Sequence, residues 1–206
     1  MTTPTPLIHV VDDDESLRTA LLRLLDAAGF NARGYASVGD FLLQPLPDGP
    51  GCVLLDVRMP GPSGLDLQAA LLRQGNALPV VFLTGYADVA ASVQAMKAGA
   101  VDFLTKPVQR EALFEALRRA LERDATERAA RAQAEQLRTA FAALTSREQA
   151  VFYRVVDGQL NKQIADALGI AERTVKLRRA QLMTKLGVSS AAELGRLAER
   201  LRHLPD

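Results

Sequence analysis

Cys52-Val53-Leu54-Leu55-Asp56-Val57-Arg58-Met59-Pro60-Gly61 is an apolar run that ends in a single acid and passes into turn residues. β-Prone residues without polar alternation, bounded by Pro and Gly, read as a short strand covered on both faces, from Cys52 to Asp56. The same pattern recurs on either side, at Leu7 to Asp12, Asn31 to Tyr35, Pro79 to Thr84 and Val101 to Thr105. Between these runs the apolar period changes to that of a helix. Leu17, Leu21, Leu24, Leu25 and Ala28 follow the acidic Asp14-Glu15 and stop at Gly29, and similar spacing marks Ser37 to Leu43, Gly64 to Gln74, Val89 to Ala98 and Gln109 to Arg123. Strand and helix alternating in this way predict an α/β doubly wound, five-stranded parallel sheet with helices on both faces.

Beyond this region the pattern changes. No Gly or Pro occurs from Arg110 to Ala143, where Ala, Arg, Glu and Leu dominate, so the last helix of the sheet domain is expected to continue as a connector. Its apolar positions keep no strict heptad, which leaves open a solvated connector or a coiled-coil seam. Helical patterns at Ser146 to Asp157, Asn161 to Leu168, Glu172 to Lys185 and Ala191 to Leu201, separated by Gly158, Gly169 and Gly187, predict an all-α four-helix bundle. The expected domains are therefore 1–122, a helical linker 123–143, and 144–206.

The 206 residues, 48% hydrophobic and 24% charged, suit one or two globular domains, and no apolar run approaches the ~18 residues of a membrane span. The start, Met1-Thr-Thr-Pro-Thr-Pro, does not read as a secretory signal, and the lone Cys52 sits in an apolar stretch, so a cytoplasmic protein is expected. The formal net charge of +1 conceals a division: seven Lys/Arg against eleven Asp/Glu in residues 1–107, and eleven against seven in residues 144–206. The two halves are built for different partners.

In an open parallel sheet, ligands bind beyond the carboxyl ends of the strands. Those ends carry Asp12 and Asp13, Asp56, Thr84 and Lys106. Carboxylates packed together repel and call for a cation, and an all-oxygen donor set suits Mg²⁺. With an ammonium and a hydroxyl nearby, the chemistry assembled is phosphoryl transfer to a carboxylate.

Val10-Val11-Asp12-Asp13-Asp14, Leu54 to Gly61, Phe82-Leu83-Thr84-Gly85 and Phe103-Leu104-Thr105-Lys106-Pro107 resemble the receiver domain of two-component response regulators, over residues 7 to about 122. The resemblance implies that Asp56 accepts a phosphoryl group from a sensor histidine kinase. It implies that Asp13 and Asp56 bind Mg²⁺ through their side chains, Asp12 through water and Arg58 through its backbone carbonyl. Lys106 would pair with the phosphoryl group, and the Lys106-Pro107 bond would be cis. By the same resemblance, Thr84 swings to the new phosphoryl group and Phe103 moves inward, reshaping the surface from about Asp88 to Leu121.

In the C-terminal region, Arg173, Lys176, Arg178, Arg179 and Lys185 load one helix with positive charge and no acid from 173 to 185. The preceding helix ends at Gly169, which is helix-turn-helix spacing, so the charged helix is expected to seek phosphate and lie in the major groove. Leu144-Thr145-Ser146-Arg147-Glu148, Gly158 to Ala165, Leu168-Gly169-Ile170, Thr174-Val175-Lys176 and Lys185 to Val188 resemble the DNA-binding domain of the LuxR/FixJ family, over 144 to about 201. This implies core roles for Ile164, Ala165, Leu168, Val175 and Leu186, and capping or interhelical roles for Thr145 and Glu148. It implies DNA contact by Lys176, Leu177, Arg179 and Ala180, and phosphate contact by Asn161, Lys162 and Thr174. Arg178 departs from the His that many members carry, which leaves open whether it reads a base or holds phosphate. Leu194, Leu197, Ala198 and Leu201 resemble a pairing surface, with packing into a single-domain core as the alternative.

The whole chain thus resembles a FixJ-type response regulator. The implied function is phosphorylation-driven homodimerisation and transcriptional regulation at promoter DNA, with RNA polymerase as a further partner and no enzymatic turnover beyond its own phosphorylation and dephosphorylation. Two rivals are weighed against it. In a haloacid-dehalogenase-type phosphatase, Asp12 would be the nucleophile, but the further acidic motif such enzymes need is missing. A protein- or RNA-binding output module would keep the fold and change the partner.

Overall fold

The computed structural model describes residues 5–44, 49–75, 78–85 and 89–203. The start at Met1 and the Asp88 boundary of the expected switch surface lie outside them. Five parallel strands, β1 (Leu7–Val11), β2 (Asn31–Tyr35), β3 (Gly51–Asp56), β4 (Val80–Thr84) and β5 (Asp102–Thr105), form one sheet in the order β2-β1-β3-β4-β5. Four helices alternate with them: α1 (Glu15–Ala27), α2 (Val38–Leu42), α3 (Gly64–Arg73) and α4 (Val89–Lys97). A fifth, α5 (Arg110–Ala142), follows β5.

The side chains of β3 alternate between two cores. Val53 and Leu55 join Val11 and Phe82 beneath Phe41, Leu67 and Ala95, from α2, α3 and α4. Leu54 joins Val10, Val81 and Leu83 beneath Leu21, Leu25, Leu113 and Leu117, from α1 and α5. Burial on both faces is why this strand carries no polar alternation before Asp56. At the start of β3, a Cβ on Gly51 would stand 2.2 Å from the Leu7 carbonyl oxygen, so only glycine fits there.

Helix α5 is continuous for 33 residues, about 50 Å at 1.5 Å per residue. Packing divides the chain at Arg128/Ala129, between the two linker boundaries expected at 122 and 143. Asp124 lies on the buried side of α5 and accepts from the Gly51 amide at 2.9 Å and from Arg128 Nε at 2.9 Å, while Arg128 also donates to the Gly49 carbonyl. The start of the expected linker thus belongs to the sheet domain.

In the second unit, α6 (Ser146–Val156), α7 (Asn161–Leu168), α8 (Glu172–Leu186) and α9 (Ala191–Arg202) enclose Val151, Phe152, Ile164, Val175, Leu182 and Leu194. Leu137, Ala140 and Phe141 of α5 pack against this core, so these apolar connector positions serve their own bundle. The stripe on α9 does the same: Leu194, Leu197 and Ala198 are buried in the core and Leu201 packs against it, which favours the single-domain alternative. Ile164, Ala165, Val175 and Leu186 are buried as expected, with Leu168 at the edge.

Candidate functional site

The strand order reverses between β1 and β3, so Asp12, just past the end of β1, and Asp56, at the end of β3, are neighbours in space. Asp12, Asp13 and Asp56 each bring a carboxylate oxygen within 4.8 Å of the others. Such a set of hard oxygen donors can hold a divalent cation. Asp12 is fully buried and both its oxygens are engaged: Oδ1 accepts from the Asp14 amide at 2.9 Å and Oδ2 from Lys106 Nζ at 2.7 Å. Lys106 Nζ also donates to Asp56 Oδ2 at 2.6 Å, and the Arg58 amide donates to Asp56 Oδ1 at 3.2 Å.

The electrostatics follow from this geometry. Burial pushes the Asp56 carboxyl above its usual range, more than Lys106 and the Arg58 amide pull it down. Burial pulls the Lys106 ammonium down, but its bonds to Asp12 and Asp56 outweigh that and hold it above its usual value. Lys106 is carried into the site by its own backbone, whose amide donates to the Thr84 carbonyl at 2.6 Å, and the Lys106-Pro107 bond is cis. Thr84 is buried at the end of β4, and Phe103 is half-buried on β5, its ring 6.0 Å from that of Phe82.

Three supporting positions were not singled out from the sequence. A Cβ on Gly64 would stand 2.2 Å from the Asp56 carbonyl oxygen, so α3 can begin against the acceptor residue only with glycine there. The Ser63/Asp66 capping box that starts this helix was a legible signal. Arg18 donates to the Asp12 carbonyl at 2.7 Å. Asp124 continues the apolar series Leu113, Leu117, Ala120 at helical spacing, which marks it as an acid on a buried face.

The second candidate surface is α8. Three residues, Gly169 to Ala171, connect α7 to α8, and Gly169 has φ +63°, a left-handed conformation that glycine adopts without strain. Lys176, Leu177 and Ala180 face outward, and Leu177 is 59% exposed although it is a large apolar residue. Arg179 donates to Asn161 Oδ1 at 3.2 Å, and Lys162 is exposed beside it in sequence at the start of α7. Thr174 and Arg178 are half-buried on the flanks. Lys185, counted with the basic face in the sequence, stays exposed but donates to Glu148 Oε2 at 2.8 Å. Glu148 also accepts from the Thr145 amide at 2.7 Å, so these residues cap α6 and join it to α8 at once.

Residues 8–118 match the response regulator receiver domain family, and residues 142–198 match the bacterial regulatory proteins of the luxR family. The chain is a response regulator. It is 42% identical over 195 residues to nodulation protein W of Bradyrhizobium diazoefficiens, covering 95% of this chain and 86% of that one. It is 40% identical to the transcriptional regulatory protein FixJ of Azorhizobium caulinodans, covering 93% and 90%. Among solved structures it resembles the response regulator StyR, with a TM-score of 0.88, 44% identity and coverage of 96% and 100%. Full-length FixJ from B. japonicum gives a TM-score of 0.58 at 38% identity, covering 98% and 100%. This response regulator therefore joins a receiver to a LuxR-type DNA-binding domain, which implies a histidine kinase on one side and DNA on the other. Among the described residues, no helix is long and apolar enough to cross a membrane.

Proposed function

We propose that Asp56 accepts a phosphoryl group from a sensor histidine kinase and that the modified protein pairs into a homodimer, binds promoter DNA and acts on RNA polymerase. The observation that carries this reading is the Lys106 ammonium shared between Asp12 and Asp56 across adjacent strand ends. Both carboxylates have each oxygen engaged, but Asp56 keeps 7% exposure beside the exposed Asp13 whereas Asp12 has none, which favours Asp56 over Asp12 as nucleophile. Asp13 and Asp56, with the Arg58 carbonyl and with Asp12 through water, would hold Mg²⁺, whose charge supports phosphoryl oxygens during transfer.

In the transfer, an Asp56 carboxylate oxygen attacks phosphorus, the bond to the donor nitrogen breaks and its electron pair stays on the donor. Lys106 then pairs with phosphoryl oxygens instead of the Asp56 carboxylate. The modification adds nearly two negative charges and three acceptor oxygens, which draws the Thr84 hydroxyl toward it and lets Phe103 pack further inward beside Phe82. The protein serves as acceptor and promotes its own dephosphorylation without further turnover. In the bundle, Lys176, Leu177, Arg179 and Ala180 approach the groove, while Asn161, Lys162 and Thr174 hold phosphates.

Phosphoryl incorporation from a small phosphodonor with Mg²⁺ tests the assignment. Asp56→Asn abolishes incorporation; incorporation at the wild-type rate would refute Asp56 as acceptor. Sedimentation with and without beryllofluoride and Mg²⁺ tests pairing, with a shift from monomer to dimer expected.

A further inference from the structure

Arg178 is half-buried on the flank of α8, and Arg147 stands exposed in the first turn of α6. Among the described residues neither side chain forms an ion pair or a hydrogen bond, while Glu148, next to Arg147 in sequence, is engaged with Lys185 and Thr145, and Glu172, in the first turn of α8, with Lys176 at 3.1 Å. With Ser146 the two arginines line an open cleft of about 480 Å³, whose remaining lining is Ala150, Leu168 and Ile170. A guanidinium partly withdrawn from water without a counter-charge is unfavourable, and two around one cleft repel. An anion would relieve both, and the planar forked donors of Arg match phosphate oxygens, with the Ser146 hydroxyl as an added donor.

The position of this cleft on α8 indicates which phosphate. At about 100° per residue, Arg178 and Arg179 leave α8 on either side of the core residues Val175 and Leu182, with Lys176, Leu177 and Ala180 outside. Arg179 leads to Asn161 at the start of α7, so that flank is already furnished with polar contacts. A helix lying in the major groove has a phosphate backbone on each side.

We propose that Ser146, Arg147 and Arg178 form a phosphodiester seat for the DNA strand bordering α8 on the side away from Asn161. Arg178 then holds backbone and does not read a base. This rests on the DNA-binding reading of the bundle and extends it to a second, opposed phosphate contact.

The test uses the full chain with beryllofluoride and Mg²⁺, a duplex selected by the wild-type protein from a random pool, and an unrelated duplex, each titrated across a range of KCl. Arg178→Ala and Arg147→Ala each lower the slope of log affinity against log salt by about one and weaken both duplexes by the same factor. Arg178→Lys keeps the slope, and thermal unfolding of each variant reports that the bundle is intact. A loss confined to the selected duplex with an unchanged slope would make Arg178 a base reader and overturn the proposal. Unchanged binding by both alanine variants would also overturn it. Wild-type protein without salt-dependent duplex binding would overturn the DNA-binding reading itself, and the seat with it.

Discussion

Lys106 Nζ lies 2.6 Å from Asp56 Oδ2 and 2.7 Å from Asp12 Oδ2, so one ammonium bridges carboxylates at the ends of two strands. Removing it leaves both acids without their cation and takes away the group that would meet the phosphoryl oxygens. Lys106→Ala is expected to slow phosphoryl incorporation from a small phosphodonor by about 100-fold, the usual scale for losing one preorganised electrostatic partner. The acid limb of its rate-pH profile shifts to higher pH, because Asp56 loses the bond that partly offsets its burial. Single-turnover assays across pH measure both effects.

Gly64 is held against the Asp56 backbone, where an added Cβ would meet the carbonyl oxygen at 2.2 Å. Gly64→Ala must displace the start of α3 or the end of β3. It is expected to cost about 1–3 kcal/mol of stability and to reduce incorporation at Asp56, although residue 64 bears no functional group. Urea unfolding and the phosphodonor assay, run in parallel, check this.

His9 is buried in β1, with Nδ1 3.0 Å from the Tyr35 hydroxyl and Nε2 without a hydrogen-bond partner among the described residues. Burial first, then the charge of Arg33, lowers its pKa to about 4. The unfolded chain therefore binds a proton that the folded chain refuses, and stability falls as pH drops from about 6.5 toward 4. Between pH 7 and pH 4.5 this contributes about 2–3 kcal/mol of destabilisation. His9→Phe removes that part of the slope, which denaturant melts at the two pH values will show.

Asp124 is 1% exposed and bonds both the Gly51 amide and Arg128. Arg128→Ala leaves the buried carboxylate with only a backbone donor and one face toward solvent, an expected loss of about 2–4 kcal/mol in the receiver unit, reduced from the fully buried case by the partial exposure of Arg128. Hydrogen exchange at the Gly51 amide should accelerate in the same variant.

Lys185 belongs by sequence to the basic run, but its ammonium is held by Glu148. That bond, with those from Thr145, keeps the Glu148 carboxyl below its ordinary range. Lys185→Ala is expected to leave the salt slope of duplex binding unchanged, whereas Lys176→Ala lowers it by about one. Glu148→Ala costs about 1–2 kcal/mol through loss of the capping box.

Alternating apolar periods, with the lack of Gly or Pro from Arg110 to Ala143, were enough to locate the described strands and helices to within one or two residues, because a strand buried on both faces and a helix buried on one leave different repeats in the chain. The five strand-end residues Asp12, Asp13, Asp56, Thr84 and Lys106 were legible for the same reason: in a parallel sheet, strand ends share an edge. The family resemblance also pointed to the cap at Thr145, while the like capping box at Ser63 went unread. What the sequence left open depended on distance in space. Charge counting could not separate Lys176, in an exposed ion pair with Glu172 one turn away on its own helix, from Lys185, bonded to the buried Glu148 thirty-seven positions away. Nor could periodicity say whether the α9 stripe meets its own core or another surface, since both require the same spacing; the packing of Leu194 against the bundle decided it. Gly64 and Asp124 carry no motif of their own, and their roles come from the Asp56 carbonyl and the Gly51 amide placed against them by the sheet. Periodicity thus determined which faces are buried, while tertiary structure alone decided which charges have partners, because pairing depends on atoms brought within a few ångströms by residues far apart in the chain.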